Sequence, residues 1–224
     1  MNVIVFASRK GGSGKSTLAA HLAAQVHRPS RPLLLIDADP QGSLILWHRL
    51  RGTGEPPLRT LTAAVADLLR EARLTGYEWV FIDTPPNMSA AVTDAIRAAT
   101  LVVIPARPTV FDMVAVKETM DLCRKLAKPY AVVINGVPSR RDNTESSYVH
   151  ETRLALIRLN VPVWSGQITH RTNYSLALAQ GEGAKEYDAN SEAAAEVAAL
   201  WNAIEKSVKA IHGAYEGIAM HRVA

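Results

Sequence analysis

Short, almost wholly apolar runs alternate with longer stretches of helical period along nearly the whole chain. The runs at 3–7, 32–36, 79–82, 101–105, 131–134 and 163–168 are short, and several carry no polar residue. That is how strands read when a parallel sheet buries both of their faces. Between them, apolar spacing predicts helices over 15–26, 44–50, 61–74, 89–98, 113–126, 145–159, 174–179 and 191–211. The alternation predicts an α/β fold, a mostly parallel sheet with helices on both faces. Residues 52–57 (Gly-Thr-Gly-Glu-Pro-Pro) form a turn-rich connection inside the domain rather than a linker. We expect a single domain over 1–211, with 212–224 as a tail or helix extension.

Composition narrows the class without naming a chemistry. A chain of 224 residues, 48% of them hydrophobic, can bury a sizeable core. The net charge of +4 is a mild excess, compatible with a nucleic-acid partner but not proof of one. A lone cysteine, Cys123, excludes a disulfide framework and suits a reducing cytoplasm. Its apolar helical surroundings make it a core residue. No run approaches the roughly 18 apolar residues of a membrane span. Met1 leads straight into the first predicted strand, so no signal peptide is expected. The seven histidines show no zinc-type spacing with cysteine or acidic partners.

The chemistry begins after the first strand, at Lys10-Gly11-Gly12-Ser13-Gly14-Lys15-Ser16-Thr17. An apolar strand feeding a glycine-rich turn, then Gly-Lys-Ser opening a helix, is the context of a phosphate-binding loop. The glycines let backbone N–H groups converge on an anion, and the helix N-terminus adds its positive dipole end. Lys15 can reach the β- and γ-phosphates, and Ser16 can ligate Mg²⁺. The strand at 79–82 runs into Asp83, a Walker-B arrangement whose carboxylate would bind Mg²⁺ beside Ser16. The strand at 32–36 runs into Asp37-Ala38-Asp39-Pro40-Gln41. Two aspartates two apart on extended chain share a side, so both can face a nucleotide; the alternative is that they cap the next helix.

Where the general phosphate-loop pattern wants an earlier glycine this chain has Arg9, followed by Lys10. That form resembles the deviant Walker-A loop of the ParA/MinD family of dimeric ATPases. Asp37 to Gln41 and Asp83-Thr84-Pro85-Pro86 look like that family's two switches, in the same order. The resemblance covers the chain from Met1 to about Ser207, and it is to small partition ATPases without an N-terminal DNA-reading domain. It implies an ATP- and Mg²⁺-dependent homodimer in which Lys10 reaches the partner's nucleotide, Asp39 orients the attacking water and Asp37 supports the metal shell. The single cysteine removes the iron–sulfur relatives of this class.

The same resemblance implies nonspecific DNA binding, a nucleoid-associated cytoplasmic location, and a partner protein (centromere-binding or cargo adaptor) that stimulates hydrolysis. The cargo would be a plasmid or chromosome, or a protein assembly such as carboxysomes or chemoreceptor clusters. Asn135, closing the strand before Gly136, lies where the family recognises the base; it reads as an adenine contact or as a turn residue. Residues 167–171 and 174–181 resemble the DNA-contacting stretch of short partition ATPases. Arg140, Arg141, Arg153, Arg158, Arg171, Lys185, Lys206 and Lys209 are the candidate backbone contacts, though each singly also reads as a solvated surface charge. Ile204, Val208, Ile211, Tyr215 and Ile218 form an apolar stripe, expected to dock on the body or a partner rather than on a membrane. The alternative function is a membrane-associated regulator of division resembling MinD.

Overall fold

A computed structural model describes residues 1–142 and 144–221, with side chains described through residue 214. Seven parallel strands form one sheet in the order β3-β2-β4-β1-β5-β6-β7. They are β1 (Asn2–Phe6), β2 (Leu33–Asp37), β3 (Leu58–Thr60), β4 (Trp79–Asp83), β5 (Leu101–Ala106), β6 (Tyr130–Val137) and β7 (Ile168–Thr169). The helices are α1 (Lys15–Val26), α2 (Ser43–Arg51), α3 (Val65–Thr75), α4 (Ala90–Ala98), α5 (Val110–Lys125), α6 (Ser147–Arg158), α7 (Thr172–Ala179), α8 (Ala184–Tyr187) and α9 (Glu192–His221).

The sheet is apolar throughout because both faces are covered. On β1, Ile4 and Phe6 pack with α1 and α9, while Val3 and Val5 pack with α3, α4 and α5 on the other side. The same period-two division splits β2, β4 and β5. Cys123 lies fully buried in the second layer, where burial pushes its thiol up to about 12. On the first layer Trp201 of α9 meets Trp79 edge-on at 4.7 Å. Arg31 lies over the Trp201 ring and pairs with Glu205 at 3.0 Å. Of the apolar stripe, Ile204 and Val208 are buried and Ile211 packs against the same core, so that part docks on the body. Tyr215 and Ile218 lie outside the residues whose side chains are described.

The elements depart from the sequence expectation where local signal is weak. The edge strand β3 was not expected: Leu-Arg-Thr is three residues long and two of them are polar, so it leaves no apolar run. The expected strand at 163–168 shrinks to β7, with one isolated bridge from Val163 to Val132. Gly166 sits against the Trp164 ring there, where a Cβ would come within 2.3 Å, and the chain leaves the sheet between the two contacts. Helix α5 starts three residues early because the Thr109 hydroxyl accepts the Asp112 N–H at 3.2 Å. Helix α9 continues to His221, ten residues past its expected end.

Two ties join α2 to the turn between α7 and α8. Arg51 makes a paired contact with Glu186 at 2.6 and 2.7 Å and donates to the Gly181 carbonyl. The Trp47 indole N–H donates to the Glu182 carbonyl at 3.3 Å. Gly181 has φ +72, and a Cβ would lie 2.2 Å from the Arg51 backbone nitrogen, so only glycine permits this approach.

His21 of α1 is the buried base of this side. Its Nδ1 accepts the Ala184 N–H at 3.1 Å and its ring meets Tyr174 edge-on at 5.1 Å. Burial pulls it down from 6.5 to about 4. The folded protein therefore prefers neutral His21, and the stability this gives is present above pH 6.5 and lost as pH falls toward 4. The loss should be on the order of 3 kcal/mol. Urea denaturation at pH 7, 5 and 4 should show it, and His21→Asn, which keeps an acceptor for Ala184, should flatten it. An equal fall in both proteins would remove His21 as the source.

Candidate nucleotide site

The carboxyl ends of β2, β4, β1, β5 and β6 open onto a cleft of about 630 Å³. In an open parallel sheet that edge is where ligands bind. The floor is the loop between β1 and α1. Gly12 and Gly14 have φ +72 and +102, so a side chain at either would be strained. A Cβ on Gly14 would also fall 2.1 Å from Asn135 Nδ2. Helix α1 has no side-chain cap and no acidic residue in its first turn. Its first N–H groups are thus left for an anion.

The site residues expected from sequence divide by what they touch. Gly11, Gly12, Gly14, Lys15, Ser16, Thr17, Asp39 and Asn135 all line the cleft. Ser13 is fully buried beneath it. Lys15 is 5% exposed and Nζ donates to the Lys10 carbonyl at 3.4 Å. Burial lowers its pKa, while the Asp83 and Asp39 charges draw it back up. Asp39 Oδ1 accepts the Gln41 N–H at 3.0 Å; among the described residues its other oxygen has no partner. Lys10 points outside, exposed, its ammonium 5.7 Å from the centre of the Phe111 ring.

Asp83 is fully buried, and among the described residues neither carboxylate oxygen has a hydrogen-bond partner. Burial and the charges of Asp37 and Asp39 push it up to about 7; nearby Ser16 and Lys15 draw it down without completing a hydrogen bond in this geometry. A buried carboxylate with no donors costs stability unless something outside the chain satisfies it. The Asp83 oxygens and the Ser16 hydroxyl are the hard oxygen ligands that Mg²⁺ takes, so these residues fit that ion.

Asp37 takes the alternative its position offered, capping the next helix. Its two oxygens accept the N–H groups of Asp39, Leu44 and Ile45, each at 3.1 Å. Leu44 and Ile45 open α2, whose N-cap Gly42 has no side chain to offer, so Asp37 caps that helix from a distance. Asn135 Nδ2 donates to the Ser13 carbonyl at 2.6 Å and clamps the phosphate loop, while the residue also lines the cleft.

The basic set divides into cations held by carboxylates and cations left exposed. Arg153 is 12% exposed, bound to Glu145 at 2.6 Å and to the Gly166 carbonyl at 2.9 Å, an internal brace. Arg171 is held by Glu196 at 3.0 Å and lines both the nucleotide cleft and a neighbouring open hollow that Arg140 shares. Arg140 pairs with Glu145 at 3.0 Å, and Lys209 approaches Glu205 at 3.9 Å. Arg141, Arg158, Lys185 and Lys206 are exposed. Lys206 lies ten residues along α9 from Glu196, about 15 Å at helical rise. Sequence reasoning also missed the wall residues Arg107, Thr169, His170 and Tyr174. Arg107, Thr169 and His170 stand at strand ends, and that position was the available signal.

Asp37 and Asp83 should behave oppositely without nucleotide or metal. Asp37→Ala strips three backbone N–H groups of their acceptor and should cost about 2 kcal/mol. Asp83→Asn should stabilise at pH 8, because a carboxyl raised from 3.8 to about 7 destabilises the fold progressively as pH rises through that window. Urea denaturation checks both; a neutral Asp37→Ala would remove the capping role.

Comparison with known proteins agrees with this geometry. Residues 4–184 match the family model described as the CobQ/CobB/MinD/ParA nucleotide binding domain. A protein named ParA from Rhizobium radiobacter is 30% identical over 190 residues, covering 78% of this chain and 81% of that one. A maintenance of carboxysome distribution protein A from Gloeobacter kilaueensis is 38% identical over 122 residues, 53% of this chain; the match spans only 55% of the relative's length. Among solved structures, a plasmid partition protein from Borrelia burgdorferi bound to AMPPNP superposes with a TM-score of 0.70. It covers 92% of this chain and 99% of its own at 20% identity, a likeness of fold.

Proposed function

The chain belongs to the CobQ/CobB/MinD/ParA family of nucleotide-binding domains, and from that membership we propose that it is a Mg²⁺-dependent ATPase of the ParA type. In this reading it dimerises on ATP, coats DNA nonspecifically and hydrolyses ATP to segregate or position cargo. The observation that carries it is an uncapped phosphate loop and Asp39 sharing one cleft, with the unpartnered Asp83 buried at the adjoining end of β4. A structural turn does not account for a carboxylate left in that state; a bound cation does.

The residues divide the work by position. The loop N–H groups and Lys15 hold the β- and γ-phosphates. Ser16 and Asp83 hold Mg²⁺, which when bound neutralises charge on the phosphate oxygens. Asp39, with one oxygen free at the cleft, orients water in line with the γ-phosphate. Asp37 fixes the start of α2 and so the segment carrying Asp39. Lys10 reaches a second copy's nucleotide; its outward position supports this. So does the apolar shelf beside it, where Val110, Phe111 and Val114 are 79%, 76% and 57% exposed. An apolar patch of that kind on a soluble surface marks a contact.

DNA contact falls to exposed cations, Arg141, Arg158, Lys185 and Lys206 among them, and location on the nucleoid follows from it. A partner protein that stimulates hydrolysis would release the dimer. The names of the relatives fit either a replicon or a carboxysome-like assembly as cargo.

Three variants test this reading. Lys15→Ala should abolish ATP binding in calorimetry; unchanged affinity would sink the phosphate-loop assignment. Lys10→Ala should keep ATP binding but lose the ATP-dependent dimer seen by light scattering. Asp39→Ala should bind ATP and dimerise yet stall in hydrolysis, and stay on DNA with an affinity that drops steeply as salt rises. Normal turnover would remove Asp39 from catalysis. A trapped dimer that bound anionic vesicles and no DNA would favour the membrane regulator instead.

A further inference from the structure

The cleft wall on the far side of the phosphate loop from Asp39 and Asp83 carries a cation with no task in the scheme above. Arg107 follows β5, immediately before Pro108 and the start of α5. Its backbone is fixed: the Arg107 N–H donates to Asp112 Oδ1 at 3.2 Å. Asp112 is itself 4% exposed, and its second oxygen accepts the Thr109 hydroxyl at 2.6 Å. The side chain then lies across Gly136, where a Cβ would stand 3.5 Å from Nε and 3.8 Å from Cγ. Beyond that the guanidinium is exposed on the cleft wall, with no ion pair or side-chain hydrogen bond among the described residues.

The other guanidinium of the cleft wall is engaged: Arg171 pairs with Glu196 at 3.0 Å. A guanidinium whose backbone and stem are both held, but whose donors are unused, is arranged for an anion arriving in the cleft. Five donors in a planar fork suit phosphate oxygens better than any other group of a nucleotide.

We propose that Arg107 is a phosphate-contacting residue that grips the inner phosphates, those common to the di- and triphosphate. The strand order supplies the direction. Asp83 ends β4 and Asp39 follows β2, both to one side of β1 and its loop, whereas Arg107 and Gly136 end β5 and β6 on the other. A phosphate chain laid over the loop with its γ end at the two carboxylates turns its inner phosphates toward Arg107. The inference rests on the nucleotide reading and adds a residue to it.

Calorimetry of the full chain with ATP and with ADP, in Mg²⁺ buffer, tests it. Arg107→Ala should weaken both nucleotides by a similar factor of about tenfold. Arg107→Lys, which keeps charge without the fork, should recover part of the loss. The melting temperature without nucleotide should not change, because the side chain is exposed and unpartnered. Unchanged affinity for both nucleotides would overturn the proposal, as would a loss confined to ATP. Intact binding with a lost ATP-dependent dimer would overturn it too, by assigning the guanidinium to a second copy. Lys15→Ala separates the levels: if it loses nucleotide while Arg107→Ala keeps it, only this proposal fails, and if Lys15→Ala binds normally the nucleotide reading itself fails.

Discussion

A carboxylate with no donor sits where three adjacent strands end, and the rest of the site is arranged around that arrangement's cost. Asp83 pairs in register with Phe6 on one side and Asp37 on the other, so it cannot swing away without breaking the sheet. Water does not reach it and no side chain completes a bond to it. The fold carries an unfavourable buried group because the parallel register leaves that position no alternative. A cation beside Ser16, as proposed above, would convert the defect into a site. This is a local conflict between stability and chemistry, the pattern expected where a sequence is shaped by function rather than by packing.

Around Asp83 the neighbouring aspartates are separated by partner rather than by position. Asp37 and Asp39 are two residues apart, yet Asp37 is saturated by three backbone N–H groups and Asp39 keeps an oxygen open. The first is a structural anion serving a helix whose own cap is glycine; the second faces the cleft. Burial separates them in the same sense: Asp37 is buried and Asp39 only partly so.

Much of this was legible in the chain itself. The phosphate loop, its strand and helix, and Asp83 at a strand end are contiguous signals, so sequence order carried them. The sheet was legible for the same reason, since buried parallel strands advertise themselves as apolar runs. What escaped depended on contacts between distant segments. Asn135 reads as a base contact or a turn until Ser13, 122 residues away, is seen beneath it. Arg153 and Arg171 look like surface charge because Glu145 and Glu196, their partners, have no fixed spacing from them. Strand β3 is polar at an edge, where pairing to β2 rather than burial holds it.

The ties from α2 to the turn between α7 and α8 bear on how the state of the nucleotide leaves the cleft. One end of α2 hangs on Asp37 beside Asp39; the other is riveted to Gly181, Glu182 and Glu186. A shift of the Asp39 segment would therefore load α2 at one end and, through its ties, the α7–α8 side that carries Tyr174 and Ser175 on the opposite lip. Helix α2 is thus a strut between the two lips of the cleft.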